Sequence, residues 1–62
     1  MRQWLINFRT DKKMSQKQVA EVCSITHAYY CMIEQGKRNP SVRVAKKIAE
    51  TLDLDWLIFF TS

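Results

Sequence analysis

A run of hydrogen-bond donors near the middle of the chain is the part of this sequence best suited to bind a ligand. The run reads G-K-R-N-P-S-V-R, and its donors are Lys37, Arg38, Asn39, Ser41 and Arg43. Side chains of these types commonly donate to phosphate oxygens. The whole chain carries 10 Lys and Arg against 6 Asp and Glu, a formal charge of +4. Both observations favour a polyanionic partner, although many small domains are this basic and the lysines alternatively form a solvated surface.

The same sequence offers little to an enzyme. His27 is the only histidine, no acid or base lies near it at helical spacing, and no glycine-rich loop is available to hold a phosphate group. Cys23 and Cys31 together with one histidine do not make a zinc site, so we expect two reduced thiols. We therefore expect no catalytic residue, no metal and no cofactor.

Two short helices joined by a tight turn precede the donor-rich run. Ser15 is a good N-cap, and Gln18 three residues later completes a capping box. Ser24 and the residue after it form the turn, and Thr26 is the second N-cap. Gly36 ends the second helix because glycine accepts the left-handed conformation of a C-terminal cap.

Apolar residues at helical spacing predict five helices and no strand. The first covers about 2–12, and the two helices around the turn cover about 16–22 and 27–35. A fourth begins after Ser41, and a short fifth begins after Asp55. Sixty-two residues, of which 47% are hydrophobic, permit one compact domain over residues 1–62.

The segment over residues 15–41 carries a known pattern. It reads S-Q-K-Q-V-A-E-V-C-S-I-T-H-A-Y-Y-C-M-I-E-Q-G-K-R-N-P-S. It resembles the lambda-repressor-like helix-turn-helix family, of the Xre or Cro-repressor type, and the resemblance runs from about Leu5 to Phe60. This implies an all-α, compact five-helix DNA-binding domain with the helix-turn-helix at helices 2 and 3. Ser24 departs from the pattern, because the family usually has glycine there and serine is less favourable in a left-handed turn.

The resemblance implies roles for individual residues. In the family, the first two positions and the sixth position of the second motif helix contact base edges, which here are His27, Ala28 and Met32. Ala28 and Met32 can make only apolar contacts, for which the thymine methyl is the natural target. Tyr29 either contacts a phosphate or a base methyl, or covers the flank of the helix. Met32 alternatively is an exposed methionine with no role.

Phosphate contacts and one ion pair are implied as well. Gln16 occupies the family position that binds backbone phosphate at the start of the first motif helix, and Lys17 is a further candidate beside it. Arg9 and Glu34 match a family pair that ties the second motif helix to the first helix. Alternatively, these two residues are independent surface charges.

Two functions remain open at this level. The first is a sequence-specific transcriptional regulator of double-stranded DNA, a repressor of phage or mobile-element type. The second is a protein-interaction module that keeps the fold and binds a protein partner through its apolar recognition face. The phosphate-binding positions favour DNA, whereas the apolar Ala28, Tyr29 and Met32 favour the protein partner.

The last part of the chain predicts self-association. Trp56 and Leu57 are expected to fill the core, which leaves Ile58 and Phe59 as candidates for a two-fold contact in a weak homodimer. Alternatively, both fold back on the domain over Trp4. A dimer would suit an operator with inverted half-sites. The charged first helix and the lack of a long apolar run predict no signal peptide and no membrane span, and hence a cytoplasmic protein.

Overall fold

The computed structural model describes residues 1–61, and within them every regular element is an α-helix and no strand occurs. Ser62, the last residue of the predicted 1–62 domain, lies outside the described residues. The predicted fold class is confirmed, and the helices are as follows: α1 (Gln3–Asp11), α2 (Gln16–Val22), α3 (His27–Gln35), α4 (Val42–Leu52) and α5 (Ile58–Thr61).

Local capping determines where the central helices begin and end. Ser15 and Gln18 form the predicted capping box at the start of α2. The Thr26 hydroxyl accepts from the Tyr29 backbone N–H, at 3.1 Å, and so places the start of α3 at His27. Gly36, with φ of 80°, ends α3 in the left-handed conformation.

The turn between α2 and α3 contains a serine in a strained conformation. Ser24 has φ of 58°, in the region that favours glycine, as its departure from the family pattern implied. Its backbone N–H donates to the Glu21 carbonyl at 3.1 Å, and the Ile25 N–H donates to the Ala20 carbonyl at 3.0 Å. These bonds hold the turn in place despite the strain.

The core lies between α1, α2, α3 and α4, with one residue from α5. Helices α2 and α3 pack closely, and Tyr30 and Ile33 are directed inwards from α3, at the spacing of one helical face. The largest completely buried side chains are Tyr30, Leu5, Ile33, Ile48, Leu52 and Val19. The helix-turn-helix therefore rests on a single apolar centre that holds α3 at the surface.

The C-terminal segment corrects the sequence prediction. Phe59, a candidate for the two-fold contact, follows the alternative prediction instead: it is only 4% exposed and packs edge-on against Trp4 with ring centroids 5.1 Å apart. Leu57, predicted to fill the core, is 47% exposed, and Phe60 is 45% exposed. The reason is that α5 begins only at Ile58, so the residues before it lie in a turn and do not follow helical spacing.

Two further properties concern the described residues alone. Over residues 1–61, no helix combines the length and apolar character needed to cross a membrane. In the same range, no group of three or more His, Cys, Asp and Glu side chains is arranged to hold a metal ion.

Candidate nucleic-acid interface

The outer face of α3 is open at its N-terminal end. His27 and Ala28, the first two residues of the helix, are exposed, and Tyr29 and Met32 are half-buried. This arrangement follows from the Thr26 cap, which fixes the start of the helix, and from the inward direction of the core residues. Four predicted base-contacting side chains therefore lie on or beside one accessible surface.

A loop of donors follows α3 directly. Lys37, Arg38 and Asn39 are exposed, and the loop turns back towards α4 at a buried Pro40. The Arg38 guanidinium lies 5.8 Å from the centre of the Tyr29 ring, so the loop folds beside the outer face of α3.

The start of α4 extends the same donor set. The Ser41 hydroxyl oxygen accepts from the Val44 backbone N–H at 3.2 Å, which leaves the hydroxyl hydrogen available to a ligand. Arg43 is exposed in the first turn of the helix. The residues expected to bind phosphate thus lie on both sides of the buried Pro40, from the end of α3 to the first turn of α4.

The cations beside α3 form no ion pair with another residue of the described part of the chain. Among residues 1–61 the ion pairs are Arg9 with Glu34 and Lys12 with Asp53. The basic residues assigned to phosphate are in neither pair; they are Lys17, Lys37, Arg38 and Arg43. Their charges are therefore available to an external anion, which is the electrostatic property a DNA-binding surface needs.

A buried ion pair ties α3 to α1, as the resemblance implied. Arg9 Nε donates to Glu34 Oε2 at 2.6 Å, and Arg9 Nη1 donates to the Met14 carbonyl at 3.0 Å. Burial opposes ionisation of Glu34, but hydrogen bonds from Arg9 and Gln16 and the charge of Arg9 lower the pKa of its carboxyl below the ordinary value. Glu34 therefore stays charged and holds the C-terminal end of α3 against α1.

The Gln16 side chain is bound to Glu34 of the ion pair and also lies beside the first residue of α3, His27. Its Nε2 donates to Glu34 Oε1 at 2.9 Å. Its Oε1 accepts from the Cys31 thiol at 3.2 Å and lies 3.4 Å from His27 Nε2. The amide nitrogen carries two hydrogens, so one is left for the predicted phosphate contact.

The Tyr30 hydroxyl and the thiols of Cys23 and Cys31 differ in their exposure to solvent. The Tyr30 hydroxyl is buried, and no hydrogen bond of good geometry to it occurs among the described residues. Burial, followed by the neighbouring Glu34 carboxylate, raises the pKa of Tyr30. Burial also raises the pKa of the Cys23 thiol. Cys31 is only partly buried. Neither cysteine forms a disulfide within residues 1–61.

One residue of the site was missed from the sequence. The Arg2 guanidinium donates to the Ile33 carbonyl at 2.6 Å and to the Arg38 carbonyl at 3.1 Å, and it also donates to Asn39 Oδ1. These contacts join residues more than thirty positions apart, which no local spacing pattern records. A lone arginine before the first helix gave no signal of them.

Five helices with this turn and this open third helix define a helix-turn-helix domain. Residues 5–59 match a family model described as helix-turn-helix. The chain belongs to the lambda-repressor-like, Xre-type helix-turn-helix family, which is a family of DNA-binding proteins. It is also similar to YqaF of Bacillus subtilis (strain 168), described as an uncharacterized HTH-type transcriptional regulator. The two are 53% identical over 60 residues, which is 97% of this chain and 79% of the relative.

Proposed function

We propose that this protein is a sequence-specific regulator of transcription that binds double-stranded DNA with α3 in the major groove. The observation that carries the proposal is the open face of α3 bordered by cations that no carboxylate of the described chain neutralises. A major groove admits an α-helix, and phosphates on both sides would meet the basic loop and the start of α2. The relative described as a transcriptional regulator supports the same function.

Sequence discrimination rests on few polar contacts. His27 donates to a purine N7 or O6, whereas Ala28 and Met32 contact thymine methyl groups. The four base-contacting positions lack the bidentate side chains that discriminate most strongly. DNA shape and deformability therefore supply a large part of the specificity.

Phosphate contacts position the domain and supply the salt-dependent affinity. The donors assigned to this role are Gln16, Lys17, Lys37, Arg38, Asn39, Ser41 and Arg43. We further propose that the regulator is a repressor of phage or mobile-element type, in line with its resemblance to the lambda-repressor-like family; the position of the operator relative to the promoter decides between repression and activation.

One domain contacts one half-site, and two copies are needed for a tight operator. The exposed apolar residues Leu57 and Phe60 supply a contact for a weak homodimer, and Ile58 remains a candidate beside them. A two-fold arrangement of this kind binds inverted half-sites about one helical turn apart.

An in-vitro selection of bound duplexes from a random pool, at physiological salt, tests the proposal. Enrichment of an inverted repeat with half-sites about one helical turn apart is the expected result. Recovery of unenriched DNA that is lost when salt is added would contradict it. A parallel selection with a variant carrying Arg38→Ala and Arg43→Ala is the control, since it should recover little DNA of any sequence.

The half-buried Met32 and Tyr29 favour a second candidate. Large apolar side chains on an accessible helix usually serve an interface, and a protein partner would cover them as well as a thymine methyl would. In that case the selection finds no operator, and Met32→Lys abolishes binding to the protein partner while leaving weak DNA binding unchanged or stronger.

A further inference from the structure

The segment before α1 is fastened to the loop that follows α3. The Arg2 backbone N–H donates to the Glu34 carbonyl at 2.7 Å, and its guanidinium makes the three contacts with Ile33, Arg38 and Asn39 described above. The guanidinium also lies 5.9 Å from the centre of the Phe59 ring. Arg2 is therefore held on one side by α5 and on the other by the end of α3.

These contacts are of a kind that only arginine makes. A planar guanidinium presents several donors in a rigid fork, and here the fork spans two backbone carbonyls and one side-chain amide. Burial lowers the pKa of Arg2, yet an arginine keeps its charge in proteins. The charge-assisted bonds fix the backbone of the loop at Arg38 relative to the last turn of α3.

The bond to Asn39 sets the direction of its amide. Because Asn39 Oδ1 accepts from Arg2, the amide nitrogen is left as the free donor of that side chain. Asn39 and Arg38 are both assigned to DNA phosphate, and both are exposed on the side away from the core. One hydrogen bond from Arg2 thus orders the side chain of Asn39, and a second holds the backbone of Arg38.

We infer that Arg2 is a positioning residue for the phosphate-binding loop: it orders residues 37–39 before DNA arrives and does not itself contact phosphate. Ordering the loop in advance removes part of the conformational entropy that binding would otherwise cost. Three of the four Nη hydrogens of Arg2 already donate within the protein, so its guanidinium is directed at the loop and acts through it. This inference rests on the proposed function, because the loop must bind phosphate for its order to matter.

Two substitutions at Arg2 and one matched control test the inference. Arg2→Gln removes the fork, and Arg2→Lys keeps the charge but cannot span three acceptors. Lys12→Gln is the control, because it also removes one positive charge and breaks one contact, the exposed pair with Asp53. The dissociation constant is measured on a short duplex of arbitrary sequence, over a range of NaCl concentrations, at a temperature where circular dichroism confirms that each variant is folded.

The expected results separate the two positions. Arg2→Gln weakens binding by about five- to tenfold and Arg2→Lys by about threefold, whereas Lys12→Gln changes it by less than about twofold. If Arg2→Gln is unfolded at the assay temperature, Arg2→Lys carries the test, since its net charge is that of the wild type. Equal affinities for Arg2→Lys and the wild type would overturn the inference, and so would a folded Arg2→Gln variant that binds no more weakly than Lys12→Gln.

A double-mutant cycle distinguishes positioning from a direct contact or a loss of stability. The substitution Arg2→Gln is repeated in a background that carries Arg38→Ala and Asn39→Ala. If Arg2 acts through the loop, its removal there costs less than about twofold, because neighbouring residues that act together are not additive. If Arg2→Gln lowers the DNA affinity by the same factor in both backgrounds, Arg2 contributes independently of the loop and the inference is wrong.

Failure of the inference and failure of the proposed function give different results. If the Arg38→Ala, Asn39→Ala background binds DNA as tightly as the wild type, the loop does not bind phosphate and the proposed function loses its main support. If that background is weakened while the Arg2 variants are not, the loop binds phosphate and only the role of Arg2 is wrong.

Discussion

Arg38 lies between α3, which we propose contacts the bases, and the loop that we propose binds phosphate, so its side chain offers a direct test of the proposed contacts. Its guanidinium lies over Tyr29 and has no acidic partner among the described residues. We expect Arg38→Ala to weaken binding to every duplex alike and to lower the slope of log affinity against log salt by about one unit. Fluorescence anisotropy titrations on two unrelated duplexes measure this. An affinity loss confined to one sequence would instead make Arg38 a base contact.

Glu34 is the residue on which the geometry of α3 most depends. Its carboxylate is almost completely buried and binds both Arg9 and Gln16. We expect Glu34→Gln to lower the free energy of unfolding by about 3 kcal/mol, because the buried Arg9 charge is left unpaired. Urea denaturation at neutral pH measures the loss. Lys12→Gln, which breaks a pair between exposed side chains, should cost under about 1 kcal/mol.

The same residue gives stability a defined dependence on pH. The pKa of Glu34 is lowered in the folded protein, so its contribution is complete above the ordinary value of 4.5 and is lost as the pH falls through the lower folded value. We expect the urea midpoint of the wild type to fall as the pH is lowered from 4.5 through the pKa that Glu34 has in the folded protein. The Glu34→Gln variant should lose this part of the dependence, and identical acid profiles for the two proteins would contradict the assignment.

At the scale of elements, the turn of the helix-turn-helix carries a measurable strain. Ser24 has φ of 58°, and no hydrogen bond of its side chain compensates within the described chain. We expect Ser24→Gly to stabilise the protein by about 1 kcal/mol, which corresponds to a rise in Tm of roughly 4–8 °C for a domain of this size. Thermal unfolding by circular dichroism measures it. Ser24→Ala is the control, because alanine keeps the unfavourable conformation and should give no rise.

The outer face of α3 gives a prediction that separates binding from folding. Ala28 is exposed in the first turn of that helix. We expect Ala28→Phe to change stability by less than about 0.5 kcal/mol, since it alters a surface position. The same variant should bind the selected operator at least about tenfold more weakly, because the ring does not fit against the groove floor, while non-specific binding is kept. A large loss of stability would mean that the side chain is buried.

The sequence was sufficient for those elements whose ends are set by local chemistry. Ser15, Thr26 and Gly36 mark the ends of α2 and α3, and each does so through bonds to residues within four positions. The short α5 was predicted to begin after Asp55, whose carboxylate does accept from the Leu57 backbone N–H at 3.0 Å, but the helix begins only at Ile58. A run of five apolar residues over 56–60 is compatible with several helical registers, so only packing against Trp4 decided that Phe59 turns inwards. Arg2 was missed for the same reason, since all its partners are distant in sequence.

At the scale of the whole molecule, the C-terminal segment has an exposed apolar surface, formed by Leu57 and Phe60, that we expect a partner to cover. Leu57 and Phe60 are each close to half exposed although large apolar side chains are usually covered, and Phe60 packs edge-on against Trp56 at 6.1 Å. A second copy placed about a two-fold axis would bury both residues. The same contact would set the separation of two α3 helices on DNA.

The prediction concerns assembly rather than folding. We expect the double variant Leu57→Ser, Phe60→Ser to remain monomeric in sedimentation velocity at concentrations where the wild type associates, with a Tm close to that of the wild type. It should bind a single half-site as the wild type does, yet lose the added affinity for an inverted repeat, because the two copies no longer support each other. Phe59→Ala is the contrast: it removes a buried ring and should cost about 3 kcal/mol or more of stability. If the double variant still binds the repeat with undiminished affinity, the contact between copies lies on another face, and the exposed pair at 57 and 60 serves a different partner.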